Sequence, residues 1–301
     1  MSRLFDLNPD TPSSTPGEPS TLRRRTVLAA AASALLAPWS THALADLAQV
    51  RERGSLKIAL YRANLPFSDG NAQGAVGAEA DLAKALAAKL KLGVQWLVFE
   101  AGENMGDDLR NLVWKGHYLG FGPADVMMQV PIDKYLISQT PQVEFLMPYY
   151  RHRLVWLSKG TPSAQALRDM ELDGLTLAVE ISTAAGGALL GHGDGKYRQA
   201  VKLLPTGLEA AKGVVEGRWQ AAYVTQAQAE AALKGVPDRD RYVIEPATLR
   251  GTPVGGWPVG MAIKSGQPEL SKALSAALKE LTDDGTLATI WRSHGLTLLA
   301  P

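Results

Sequence analysis

Apolar positions along this chain recur with two alternating periods. Ser55–Tyr61 (SLKIALY) alternates apolar and polar residues, the pattern of a half-buried strand. A loop rich in Pro, Gly and Asn follows over 66–77. Residues 80–90 then place apolar groups at helical spacing, with Lys84, Lys89 and Lys91 on the other side. Residues 94–99 read as a strand, 109–114 as a short helix and 124–130 as a third strand. The alternation then restarts, with strands predicted over 153–157, 175–179, 220–224 and 259–263 and helices over 164–170, 207–216 and 226–233. Two helices end the chain, 269–283 and 286–293. Pro268 and Glu269 suit the first turn of the former, and Gly285 separates the pair. Strand–helix alternation of this kind predicts an α/β fold built from βαβ units, with largely parallel, helix-covered sheets.

The first 45 residues follow neither period. Residues 1–20 are rich in Pro, Ser, Thr and Gly and predict disorder. Arg23-Arg24-Arg25 precedes the apolar run 29–36, and Ala43-Leu44-Ala45 is a small-x-small site. A basic region, an apolar region and a cleavage site are the layout of a secretory signal, cut near Ala45. A membrane anchor is the rival reading, but the run is short and Ala-rich for about 30 Å of hydrocarbon. The adjacent arginines resemble a twin-arginine signal, with Val27 where the consensus has an aromatic residue. General secretion is the other route.

Of the 31 basic and 30 acidic residues, four and three fall in that segment, so residues 46–301 carry 27 of each. A neutral chain without a long basic run lacks the electrostatic footprint of a nucleic-acid binder. The chain has no cysteine, which excludes thiol catalysis and Cys–metal sites. His117, His152, His192 and His294 lack metal-ligand spacing, and His192-Gly193-Asp194 reads as a loop. Neither a metal nor a cofactor is expected.

In order and spacing, several fragments resemble family 3 of the bacterial extracellular solute-binding proteins. They are Leu56-Lys57-Ile58-Ala59 with Pro66-Phe67, Gly77-Ala78-Glu79-Ala80-Asp81-Leu82, Asp125-Val126-Met127-Met128, Met147-Pro148-Tyr149-Tyr150, Leu172-Asp173-Gly174-Leu175-Thr176-Leu177-Ala178-Val179, and the tail from Val259 to Trp291. The resemblance covers nearly all of 52–296. It implies the type 2 periplasmic-binding-protein fold, with lobe one over 52–150 plus 260–296 and lobe two over 154–255. Two crossing segments would act as a hinge, at Tyr150 and Arg151 and at Gly255 and Gly256. It further implies a periplasmic monomer that captures a small-molecule ligand between its lobes and passes it to the membrane permease of an ABC transporter. Pro148-Tyr149-Tyr150-Arg151 is similar to a subgroup linked to periplasmic quinoprotein (methanol-type) dehydrogenases, which implies an accessory role as the alternative.

The amino-acid receptors of this family hold the α-carboxylate with an arginine and the α-ammonium with an aspartate. Here the first region reads Gln129-Val130-Pro131-Ile132-Asp133-Lys134 and the second ends at Thr225, so both anchors are absent unless the register slips. An ordinary α-amino acid is therefore not the expected ligand. The remaining ligand-binding candidates are Tyr61, Phe67, Pro131, Asp133, Thr183 and Thr225. Tyr61 and Phe67 suit stacking on a ligand or membership of the core. Thr183 suits an anion at a helix start or a plain N-cap. Asp133 with Lys134 suits a polar contact or a solvated loop. The aromatic, Gly-rich stretch 114–123, with Trp114, His117, Tyr118 and Phe121, is a candidate interface loop. No nucleophile motif appears. Because cyclohexadienyl dehydratases resemble the same fold, a dehydratase-like enzyme is a second alternative, with Glu180 as the general acid.

Overall fold

The computed structural model describes residues 45–168 and 170–301. Of the disordered segment and signal inferred over 1–45, residues 1–44 lie outside the described residues. Helix α1 (Ala45–Arg53) leads into β1 (Ser55–Tyr61), the small hairpin β2 (Asp69–Asn71) and β3 (Gly74–Val76), and α2 (Ala78–Lys89). Strand β4 (Gly93–Phe99), α3 (Met105–Leu109), β5 (Val126–Pro131), α4 (Lys134–Gln139), β6 (Val143–Phe145) and β7 (Tyr150–His152) follow. These strands form the first sheet, in the order β4-β1-β5, and are completed by a strand from much later in the chain, β13 (Trp257–Lys264), which carries β6 and β7.

The second sheet is contiguous in sequence. It contains β8 (Leu154–Lys159), α5 (Thr161–Arg168), β9 (Leu177–Glu180), α6 (Ala184–Gly191), β10 (Val201–Leu204), α7 (Gly207–Val215), β11 (Ala221–Thr225), α8 (Gln226–Ala232) and β12 (Tyr242–Pro246). Its strand order is β10-β9-β11-β8-β12. Helices α9 (Pro268–Asp283) and α10 (Thr286–Ser293) return to the first lobe. In each sheet a parallel core of three strands is extended by antiparallel ones: β13 on β5 in the first, and β8 on β11 with β12 on β8 in the second.

Local chemistry explains the elements. Glu79 and Asp81 open α2 and Lys89 closes it, matching the helix dipole, while Leu82 and Leu86 are buried against the sheet. Pro268 sits in the first turn of α9, whose Leu270, Leu274, Leu278 and Leu281 form one buried stripe. Trp291 of α10 is fully buried in the same core. The helix predicted over 109–114 starts earlier, because Asn104 caps it by accepting from the Asp107 N–H (2.9 Å). It ends as a turn of π-helix over Arg110–Trp114.

The lobes are joined where β7 meets the start of β13. Trp257, Pro258 and Val259 pair antiparallel with His152, Arg151 and Tyr150. Tyr150 and Arg151 thus lie inside a strand of the first sheet, and Arg153 alone separates β7 from β8. The Arg153 carbonyl accepts from the Gln226 N–H (2.8 Å) and its Nε donates to Gln226 Oε1 (3.0 Å), which ties the crossing to the start of α8. Gly255 and Gly256 precede β13 with positive φ. At Gly256 a Cβ would stand 1.7 Å from the His152 carbonyl oxygen, so only glycine fits.

Gly256→Ala is therefore expected to destabilise the protein by about 2–4 kcal/mol, from overpacking and left-handed strain together. Urea unfolding checks this, and a loss below about 0.5 kcal/mol would show that the crossing relaxes freely.

Candidate interlobe site

A cleft of about 390 Å³ lies between the lobes at these crossings. Lobe one contributes Tyr61, Arg62, Asn64 and Phe67 from the end of β1 and its loop, Met105 from α3 and Gln129 from β5. His152 and Trp257 come from the paired crossing strands, and lobe two contributes Glu180, Thr183, Thr225 and Gln228.

The lobe-one wall is built on Gln129. Its backbone has positive φ (59°), an uncommon conformation for a non-glycine residue that turns the end of an otherwise apolar strand. Its Oε1 accepts from Asn64 Nδ2, and its Nε2 faces His152 Nε2 at 3.3 Å. With the amide nitrogen as donor, His152 Nε2 must be the acceptor, so the imidazole is neutral with its proton on Nδ1. Burial pushes the His152 pKa down to about 3. Behind this wall the Gln129 N–H donates to Tyr149 Oη (2.9 Å), which donates in turn to Glu79 Oε1. Glu79 is wholly buried and its Oε2 has no partner among the described residues. Burial raises its pKa to about 8, against a smaller opposing effect of the Tyr149 bond.

The lobe-two wall is a set of helix starts. Thr183 caps α6, accepting from the Gly186 N–H (3.0 Å) and donating to the Glu180 carbonyl (2.9 Å). Thr225 caps α8 and forms a reciprocal capping box with Gln228. Glu180 Oε2 accepts from the Gly207 N–H at the start of α7 (2.8 Å) and from Gln228 Nε2 (3.1 Å). Burial raises the Glu180 pKa, and those two bonds partly offset it.

Tyr61, Phe67, Thr183 and Thr225 thus come together at the cleft, whereas Pro131 and Asp133 do not line it. Tyr61 donates to Asp108 Oδ2 (2.8 Å), and Phe67 is core as well, edge-on to His152 (4.8 Å). Pro131 pairs with Val259 inside the sheet. Asp133 is the exposed N-cap of α4, accepting from the Leu136 N–H (2.9 Å). The sequence reading missed Asn64, Gln129, His152, Gln228 and Trp257 as cleft residues. Of these, Gln228 was signalled by Thr-x-x-Gln, and Gln129 by being the one polar residue in an apolar run.

The 114–123 loop borders a separate cavity of about 500 Å³ in lobe one, floored by Leu97, Phe99 and Leu112. His117 stacks on Phe121 (4.2 Å) at its edge, while Tyr118 is 88% exposed and Trp114 packs inward.

No family model matches the chain, and no curated protein matches it. Solved structures do. An ancestral cationic amino-acid solute-binding protein is 24% identical, with 83% of this chain aligned to 99% of that one and a TM-score of 0.62. The fold is that of periplasmic solute-binding proteins. An amino-acid ABC-transporter substrate-binding protein from Streptococcus pneumoniae, bound to L-arginine, is 17% identical over 84% and 99% of the two chains (TM-score 0.57). An ancestral amino-acid-binding protein, described as a precursor of cyclohexadienyl dehydratase, is 22% identical over 83% and 98% (TM-score 0.56). Among the described residues no helix is long and apolar enough to cross a membrane.

Two buried titratable groups, His152 in the cleft wall and Glu79 behind it, set opposite pH limbs. The folded-state pKa of His152 is lowered, so its stabilising effect is lost as pH falls from 6.5 towards 3. That of Glu79 is raised, so stability is lost as pH rises from 4.5 to 8. The two oppose between 4.5 and 6.5, and above that Glu79 dominates. Unfolding free energy is expected to fall by about 1 kcal/mol per pH unit from 6.5 to 8. Glu79→Gln should flatten this limb in urea titrations. An unchanged slope would remove Glu79 as its source.

Proposed function

We propose that this chain is a periplasmic solute-binding protein that closes its lobes on a small polar solute and delivers it to the permease of an ABC transporter. One observation carries the reading: polar and aromatic side chains from both lobes and both crossing strands converge on a single cleft of about 390 Å³. The likeness of fold to solute-binding proteins supports it. In this reading 52–150 with 260–296 moves as one lobe against 154–255. The motion turns about the two crossing segments, Tyr150 and Arg151 with the adjoining Arg153 in one and Gly255 and Gly256 in the other, as in hinge closure around a ligand. The loss of both charged anchors argues against an ordinary α-amino acid. No observation favours the dehydrogenase-accessory role over the receptor role.

The dehydratase alternative rests on Glu180, whose raised pKa and place in the cleft suit a general acid. Turnover of prephenate or arogenate that disappears in Glu180→Gln would establish it.

A thermal-shift screen of polar metabolites tests the receptor reading. A ligand at 100 times its Kd is expected to add about 2.7 kcal/mol to stability. Trp257 lies in the cleft over His152 (5.1 Å, 23° between planes), so binding should also change tryptophan emission, and less so in Trp257→Phe. A screen in which no solute gives either signal would sink the reading.

A further inference from the structure

The charged groups of the cleft are unequally placed. Glu180 stands at the end of β9 with both of its hydrogen bonds on Oε2, and Oε1 takes none from the described residues. Among the described residues the lining includes one cation, Arg62, and that guanidinium is paired with Glu100 (3.3 Å). His152 is neutral and acts as an acceptor, and the Gln129 amide already has Asn64 on its oxygen and His152 on its nitrogen. The Thr183 hydroxyl is spent on capping α6 and on the Glu180 carbonyl. An entering carboxylate would thus meet a carboxylate, with Arg62, the one lining cation among the described residues, already facing Glu100, and closure would then desolvate both carboxylates.

An entering ammonium or guanidinium finds the opposite. It would meet the open oxygen of Glu180 beside the aromatic rings of Tyr61 and Trp257 in the lining, and such rings attract a desolvated cation. Resting on the receptor reading above, we propose that the cleft takes a small organic cation, an amine or guanidine that lacks a carboxylate, with Glu180 as its counter-charge.

Matched compounds separate this inference from the reading it rests on. Titration calorimetry of the full chain with agmatine against arginine, and with tyramine against tyrosine and 3-(4-hydroxyphenyl)propionate, varies only the charged groups. The amine of at least one set is expected to bind tenfold or more tightly than its carboxylate-bearing partners. Glu180→Gln keeps an acceptor for Gly207 and should weaken that amine at least tenfold. Tighter binding of the carboxylates would overturn the inference and point to the start of α6 as the anchor, leaving the receptor reading intact. Amine binding unchanged in Glu180→Gln would overturn it too, as would a neutral solute being the only one to bind. Failure of every solute, charged or neutral, would bring down the receptor reading itself. If Glu180→Gln does not fold, the matched series on the unaltered chain still decides.

Discussion

The carbonyl of His152 occupies the space that a side chain at position 256 would need. That close approach lets two crossing segments from distant parts of the chain run as one antiparallel pair. The lobe-one wall of the cleft depends on this pairing. It stacks Trp257 on His152, and it aims His152 at Gln129. It also brings β13 alongside β5, so a strand made after the second lobe completes the sheet of the first. A glycine is required there because the constraint is steric contact with backbone, which no rotamer relieves.

Behind that pair the protein buries polar groups in uncharged form. A charged imidazole at 152 would face the Gln129 amide donor, and an ionised Glu79 would have one oxygen with no partner among the described residues. In a low-dielectric interior such charges cost several kcal/mol each, so the chain holds the neutral species and links them by hydrogen bonds. The chain Asn64–Gln129–Tyr149–Glu79 runs through both the backbone and the side chain of one residue, Gln129, whose strained φ places it there. Strain of this kind persists only where surrounding bonds over-determine the conformation, and here they do.

Much of the fold was legible in the sequence because its signals are local. The alternation over Ser55–Tyr61 and the period of α9 and α10 depend only on which face each residue presents to the core. The short strands β6, β7, β10 and β12 escaped notice, being only three to five residues long. The cleft was legible in part. Tyr61, Phe67, Thr183 and Thr225 follow from the ends of predicted elements. Asn64, His152 and Trp257 carry no local signal, since they become neighbours only through the crossing. Asp133 misled for the opposite reason: a carboxylate after a strand has two local uses, and here the cap of α4 claims it.

The same competition for hydrogen bonds explains why lobe two presents a carboxylate to the cleft. Three helices begin at this rim, and each leaves N–H groups that need acceptors. Thr183 and Thr225 supply α6 and α8 from their own caps, so their hydroxyl lone pairs are directed inward along the helices. Helix α7 also draws on another element, its Gly207 N–H donating to Glu180 of β9. Glu180 is therefore held at the rim by a structural demand, whatever the ligand. Binding through its second oxygen would use a charge the fold already has to place there.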